Sequence, residues 1–475
     1  MDNGVKTPLL GLSDPLTAPT GFGRVARELF VRIPQDQFDL GYLAYGSGWH
    51  GTRKFPGIVA YAEQRDVSFA RMCQTAFPRV VLDFVGAKKP FLLWSLLDPW
   101  QLGWLALPET SPLRYPDTTR FLGEHRVRFK WISYFPIDGL GPRDGPARWV
   151  EQFIDEMDYP VAMSDWGRRL CQPYCKKEIR FISHAVDTER FYPIDKGKAR
   201  EYLERKFFQS AARYLANSRE GLKDEPERLL KETDEMRIRL VESEFVLVCV
   251  MANRARKYWY DVLRAFAAVV EQIPSARLIG VCGDREGDTS GDAVPLEDVC
   301  RELGLVLDGD KSPQAWLIEA IMSENPGLED EWFQNIYNAA DATIIVSGGE
   351  GFGLPQLEAH ACARPCIVGD YSASTELAID HHELIAPASF YVLGGNQIRR
   401  PIYRVRDIVD KLMYAAKNPS WRVEVGDAGL LQAQERSWSQ IMPKWLELFG
   451  EAAALIGQTQ EDADAKVVSE ATVGA

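Results

Sequence analysis

The stretch from residue 342 to 363 constrains the fold of this chain more than any other. Ala342-Thr343-Ile344-Ile345-Val346-Ser347 is apolar and β-branched, the composition of a buried strand. Gly348-Gly349-Glu350-Gly351-Phe352-Gly353 then supplies a turn, and Pro355 stands where a helix running to Ala363 would start. The element is strand, glycine turn, helix. Helix N-terminal N–H groups point into such a turn and favour an anion there. Glu350 guards the turn, and Glu358 follows inside the helix. Two carboxylates beside an anion cradle suit a ligand with a phosphate at one end and hydroxyls to either side.

The same alternation recurs along the chain. Residues 9–13, 79–84, 91–97, 129–135, 159–164 and 179–182 read as strands, with helical patterns at 25–33 and 148–157. After a break at Phe191-Tyr192-Pro193, a charged stretch from 196 to 239 reads as helices plus an exposed insertion, with a loop at 217–221. A second series opens with a strand at 245–250, a helix at 259–272 and a strand at 276–281. Residues 408–416 and 438–456 are helical in pattern, and the polar end from Gln458 is expected to fray. Strands alternating with helices predict an α/β fold of two Rossmann-like, doubly wound domains facing across a cleft.

Composition narrows the function classes. With 46% hydrophobic residues the chain has ample core for two domains, and its net charge of −13 argues against broad attraction to nucleic acid or anionic membrane. No apolar run reaches the length of a bilayer span, and the first residues lack a signal pattern. Neither Cys171/Cys175 nor Cys362/Cys366 has a second pair or a histidine at zinc-site spacing, so the eight cysteines read as reduced core thiols of a cytosolic protein.

The string Glu-Gly-Phe-Gly-Leu-Pro-x-x-Glu-Ala at 350–359, followed by Arg364-Pro365-Cys366-Ile367-Val368, resembles the Glu-x7-Glu signature of retaining GT-B glycosyltransferases, in particular glycosyltransferase family 4. That resemblance implies the GT-B architecture: an acceptor-side domain over 1–190 and a nucleotide-sugar donor domain over 191–430 with a charged insertion at about 200–240. It also implies a C-terminal helix over 431–457 packing back toward the first domain, ahead of a flexible tail at 458–475.

Other motifs are read beside it. Thr20-Gly21-Phe22-Gly23 follows the first strand and opens a helix, where glycines admit close approach of backbone N–H groups to a phosphate. By resemblance, Gly21 and Gly23 face the donor diphosphate. Arg254, Arg256 and Lys257 follow the strand at 245–250, well placed to neutralise a diphosphate. Lys257 aligns with the family lysine, whereas Ala252 takes the usual arginine position, so either Arg254 or Arg256 substitutes. Asp138 stands where many relatives place a cleft histidine; it is either a polar contact for substrate or an Asp-Gly turn. His184 lies in a segment, His184-Ala185-Val186-Asp187, that resembles an interdomain link and is expected to be packed. Gly283-Asp284 is expected near the nucleotide base. Trp94, Trp100 and Trp104 with Asp98 could make a sugar platform, though such aromatics are more often core. Asp308-Gly309-Asp310 has the Asp-x-Asp form of metal-dependent enzymes, but its setting predicts a loop tip.

The resemblance implies a metal-independent glycosyltransferase without a cofactor, moving sugar from a nucleoside-diphosphate donor to a glycan, lipid-linked or other hydroxyl acceptor. Glu350, Lys257, Arg256 and Asp138 would serve the reaction. Gly21, Gly23, Arg254, Gly283, Phe352, Gly353, Leu354 and Glu358 would bind the donor. The expected location is the cytoplasm, including a peripheral place at a membrane surface. Rival readings are a sugar-nucleotide epimerase or hydrolase on the same fold, a noncatalytic sugar-nucleotide binder, and an enzyme acting on a polymer such as modified DNA.

Overall fold

The computed structural model describes residues 6–473 except 19, 45–50, 63–68, 87–88, 107–115, 152–153, 220–221, 284, 286–291, 320–329 and 394–396. Asp284, Glu220 and Gly221 therefore lie outside the described residues. The chain divides into two compact units. The first comprises 1–137, 143–185 and 439–475; the second comprises 138–142 and 186–438.

The first unit is built on eight strands: β1 (Thr7–Ser13), β2 (Phe38–Ala44), β3 (Gly51–Phe55), β4 (Ile58–Ala62), β5 (Phe91–Leu96), β6 (Phe129–Phe135), β7 (Tyr159–Ala162) and β8 (Arg180–Phe181). Their order is β3-β4-β2-β1-β5-β6-β7-β8, parallel throughout except for β3, which runs antiparallel to β4. β5 is buried along its whole length, as expected of a parallel strand covered on both faces. The helix Trp438–Val473 belongs to this unit from Ser439 onward. Its Trp445 is 2% exposed and meets the Tyr134 and Trp94 rings edge-on, with centroids 4.8 and 6.2 Å away.

The second unit has six parallel strands: β9 (Val246–Val250), β10 (Arg277–Val281), β11 (Ala315–Ile318), β12 (Ala342–Ile345), β13 (Cys366–Gly369) and β14 (Leu384–Ile385). They lie in the order β11-β10-β9-β12-β13-β14. Counted from β9 this is 3-2-1-4-5-6, the order of a dinucleotide-type doubly wound sheet. A separate antiparallel hairpin, β15 (Ser389–Leu393) and β16 (Ile398–Ile402), follows. In both units the chain leaves the central strand in one direction and later restarts on its other side. The crevices that open at the carboxyl ends are β1/β5 in the first unit and β9/β12 in the second.

Three expectations need correction. Residues 79–84 are not a strand but the end of the helix Phe69–Phe84. Ala76, Phe77, Val80 and Val81 are buried along it, with Val85 buried just past its end, a helical period that the adjacent valines disguised. The charged stretch after 196 is not an exposed insertion over its first half. Helix Lys196–Ser218 lays Ala199, Leu203 and Phe207 on the core formed by Val246, Val248 and Ile279. Its Arg200 Nη2 donates to Asp341 Oδ2 at 2.5 Å, and Lys196 Nζ to Asp341 Oδ1 at 2.7 Å. Apart from the buried Arg200 and Glu204, the charges of this helix lie on its partly or fully exposed faces. Beyond Gln458 the backbone continues as helix through Val473; the Ala, Gln, Glu and Lys residues there are good helix formers. The structural units also change over at 185/186 and 438/439, and give 138–142 to the second unit.

Candidate active site

Two loops at the β9/β12 crevice hold most of the candidate residues. After β9 the chain runs through Asn253 and Arg254 into a short 3-10 turn, Ala255–Lys257, then into helix Trp259–Gln272. After β12 it runs through Ser347 and the glycine turn into helix Leu354–Ala361. Tyr258, at φ +40°, joins the 3-10 turn to its helix, which bends the chain sharply after Lys257.

The loops meet through Lys257 and Glu350. Lys257 Nζ donates to Glu350 Oε1, forming an ion pair in which each side chain is 12% exposed. Backbone contacts clamp the same junction. Arg256 Nη1 donates to the Gly349 carbonyl at 3.0 Å, and Gly348 N–H donates to the Arg256 carbonyl at 2.6 Å. Glu350 N–H donates to Ser372 Oγ at 2.8 Å, so the loop after β13 supports the turn from its far side. Gly349 has φ +139°, and a Cβ there would fall 1.7 Å from the Asp138 carbonyl oxygen, so no other residue fits without moving the turn. Gly353, at φ +106°, is the N-cap of the following helix.

Electrostatics follow from burial and company. Burial opposes the Glu350 charge, but Lys257 and Arg256 outweigh it and hold the carboxyl below its ordinary 4.5. Burial pulls the Lys257 ammonium below its ordinary 10.5, and Glu350 limits that fall. With its carboxyl held below 4.5, Glu350 is a carboxylate at neutral pH. A carboxylate in this state accepts hydrogen bonds and stabilises positive charge, but it has no proton to give.

The other expected residues fall as follows. Phe352 is buried, Leu354 opens the helix, and Glu358 is 2% exposed with Tyr337 Oη donating to its Oε2 at 2.7 Å. Arg254 is half-buried and Arg256 exposed, both in the loop after β9. Gly283, at φ +84°, follows β10, whose end is tied to this loop by Asn253 N–H donating to Cys282 O at 2.7 Å. Asp138 belongs to the second unit and accepts Arg400 Nη2 at 3.0 Å through Oδ2. Gly21 and Gly23 belong to the first unit. There Thr20 caps helix Gly21–Phe30 by accepting from Gly23 N–H at 3.0 Å and donates to Asp14 Oδ2 at 2.5 Å. A Cβ on Gly23 would meet the carbonyl oxygens of Pro15 and Ala18 at 2.7 and 2.8 Å, so this glycine makes room for its own loop.

Secondary candidates are resolved by their contacts. Trp94 and Trp104 are core residues of the first unit, whereas Trp100 is exposed, so the three form no common platform. Asp308 receives both Arg285 Nη1 and Nη2, at 2.9 and 3.2 Å, and its Oδ1 accepts from Leu317 N–H. It thus ties a loop to β11. His184 is buried and hydrogen-bonded to Tyr134 Oη at 2.7 Å, and burial, with Arg24 nearby, drives its imidazole down to about 3. Asp380, His381 and His382 bring ligand-type atoms within 4.8 Å of one another. Yet Asp380 Oδ1 already accepts from His382 N–H and Trp421 Nε1, at 2.7 and 3.2 Å, as the cap of a short turn. The described cysteines are all buried and unbridged. Sequence reasoning missed Ser372, Tyr337, Tyr258 and Arg400, none of which lies within a motif.

No protein-family profile matches the chain. D-inositol 3-phosphate glycosyltransferase of Nocardiopsis dassonvillei is 26% identical over 193 residues, 40% of this chain and 39% of that protein. The serotype-specific mannosyltransferase WbdA of Escherichia coli is 30% identical over 137 residues, 26% of this chain and 16% of that protein. Sucrose-phosphate synthase of Thermosynechococcus elongatus superposes with a TM-score of 0.63 at 14% identity, covering 95% of this chain and all of that one. The Anabaena protein HepE, solved with UDP and glucose, superposes at 0.58 and 12% identity, covering 94% of this chain and 100% of its own.

The chain has glycosyltransferase relatives and the GT-B fold. Its match spans about two fifths of the length of the inositol-phosphate glycosyltransferases, 39% in the Nocardiopsis protein. Among the described residues no helix is long and apolar enough to cross a membrane.

Proposed function

We propose that this chain is a retaining, metal-independent glycosyltransferase of family 4 type, transferring sugar from a nucleoside-diphosphate donor to a hydroxyl acceptor. The observation that carries this reading is the buried Lys257–Glu350 pair at the β9/β12 crevice. An anionic diphosphate lying against the loop after β9 meets Arg254, Arg256 and Lys257, and the N-terminus of helix Leu354–Ala361 adds its own positive end. Glu350, kept ionised, accepts hydrogen bonds from donor-sugar hydroxyls and stabilises the positive charge that grows on the anomeric carbon. Glu358 serves the nucleotide side. In the transfer, the bond from the anomeric carbon to the diphosphate oxygen breaks, and the acceptor oxygen bonds to that carbon from the same face. The acceptor proton passes to the departing diphosphate oxygen.

The cationic loop supplies the charge that a divalent metal would bring. The acceptor is a carbohydrate or glycoconjugate, and the HepE complex with UDP makes UDP-sugars the first donors to test. Buried, unbridged cysteines suit a cytoplasmic protein.

The test screens sugar nucleotides of different base by thermal shift, then follows transfer by NMR of the new linkage with and without EDTA. A ligand at a hundred times its Kd stabilises the native state by about 2.7 kcal/mol, a readily measured shift. The reading predicts a shift with one nucleotide class, retained anomeric configuration and no effect of EDTA. Failure of every sugar nucleotide to raise the midpoint would sink it.

A further inference from the structure

Hairpin β15–β16 carries Arg400, whose side chain is 3% exposed. Its guanidinium reaches both sides of a narrow gap in the second unit. Nη1 donates to the Gly348 carbonyl at 2.9 Å and to the Asp138 carbonyl at 3.2 Å, while Nη2 donates to Asp138 Oδ2 at 3.0 Å. The Asp138 carbonyl is the group that leaves Gly349 no space for a Cβ. Arg400 therefore fixes the peptide two residues before Glu350 and also the segment that peptide leans on.

The same hairpin holds the other partner of the ion pair. Tyr258, next in sequence to Lys257, donates through its hydroxyl to the Pro401 carbonyl at 2.7 Å. The segment 138–142 is bound to the hairpin a second time. Arg399 N–H donates to Leu140 O at 2.7 Å, and the Tyr371 hydroxyl accepts from Leu140 N–H and donates to Arg399 O, each at 2.7 Å. Consecutive residues of one strand, Arg399 to Pro401, thus grip three things: the strap 138–142, the turn before Glu350 and the residue after Lys257. Charge-assisted bonds from a planar guanidinium set direction as well as distance, which a lysine cannot reproduce.

We propose that Arg400 is the positioning residue of the Glu350 turn, with Asp138 as its counter-charge rather than a ligand of the sugar. This rests on the donor-site reading above. The hairpin governs how well Glu350 is aimed in the transition state and contributes little to holding the nucleotide.

The experiment compares Arg400→Gln, Arg400→Lys and Asp138→Asn in the full chain, using UDP-glucose or whichever sugar nucleotide the wild type turns over. Arg400→Gln lowers kcat by about a hundredfold, the scale set by a misplacement of about 1 Å, while KM for the sugar nucleotide stays within about threefold. Asp138→Asn lowers kcat by about tenfold, and the double variant is no worse than Arg400→Gln because both act through one network. Arg400→Lys restores less than about a tenth of the loss. A KM that rises while kcat holds would make Arg400 a binding residue and overturn the proposal. Where Arg400→Gln folds poorly, Asp138→Asn decides alone: wild-type kcat overturns the proposal.

A wild type inert toward sugar nucleotides would sink the functional reading instead. The positioning role would then be read by hydrogen exchange. Faster exchange at 347–353 and 257–258 in Asp138→Asn supports it, and unchanged protection overturns it.

Discussion

Lys257 and Glu350, 93 positions apart, meet in the second unit as an ion pair with side chains 12% exposed. Neither residue type tolerates such burial alone, so each is the condition for the other's charge. In the donor complex proposed above, a diphosphate beside this cation would bring two further negative charges. Donor binding would then redistribute Lys257 between two anions and free the carboxylate for the sugar.

Removing either partner should therefore be costly in a particular way. Glu350→Gln and Lys257→Ala each lower transfer by about 10²–10³, the scale of losing one electrostatic stabiliser of a transition state. The double variant falls well short of the product of the two losses because the residues act as a unit. Steady-state rates on purified variants check this; wild-type rates in either single variant would refute the assignment.

The pH dependence has a definite sign. The folded Glu350 carboxyl lies below its ordinary 4.5, so the stability it contributes is fully present above 4.5 and is lost as pH falls through its lowered folded value. The acid limb of the rate profile accordingly lies below 4.5. Lys257 lies below 10.5, so the alkaline limb falls short of an exposed lysine's. In Lys257→Met the acid limb moves upward, because the carboxyl loses its main cation while staying buried. A profile that does not move would show that Glu350 does not control that limb.

Gly349→Ala should act on the turn as severely as loss of Glu350 itself. The added Cβ would lie 1.7 Å from the Asp138 carbonyl oxygen, at a φ of +139° that alanine resists. The turn must move, and Glu350 with it. We expect transfer to fall by at least about a hundredfold with the global unfolding midpoint little changed. Activity and circular dichroism melts on the same sample test this.

Away from the site, Asp341 holds helix Lys196–Ser218 to the sheet. Its carboxylate, 2% exposed, receives Arg200 Nη2 at 2.5 Å, Lys196 Nζ at 2.7 Å and Val246 N–H at 2.8 Å. Asp341→Ala leaves the Arg200 guanidinium buried without its anion and should cost about 3–5 kcal/mol. Denaturant melts monitored in the second unit provide the measurement.

How far the chain could be read in advance depended on what each element had to bury. β6 and helix Trp259–Gln272 coincide with their expected bounds because each carries one unbroken pattern. Residues 79–84 misled because two adjacent valines suit a strand as well as the inner face of a helix. β2, β4 and the hairpin β15–β16 were not anticipated. The exposed positions of β15 are apolar, which blurs the alternation that marks a strand.

The same contrast holds at the site. That Lys257 and Glu350 follow the ends of strands was legible from their motifs, and Asp138 was left open between a substrate contact and a turn. Arg400 was not legible. Nothing in the sequence around its two adjacent arginines singles out the buried one, and the partners of Arg400 lie 52 and 262 positions away. Tyr337 and Ser372 were hidden for the same reason: each hydrogen-bonds a site residue some twenty positions away, Tyr337 to Glu358 and Ser372 to Glu350.

The way the chain is shared between the units has a consequence for synthesis. The second unit needs nothing beyond residue 438, whereas the first needs residues 439–475 to be complete. Trp445, which packs against Trp94 and Tyr134, leaves the ribosome only after the whole of the second unit. The unit that begins first is therefore finished last, its aromatic core open while the other folds as a unit. A chain truncated near residue 438 would retain the β9/β12 crevice and lose the closing helix of the first sheet.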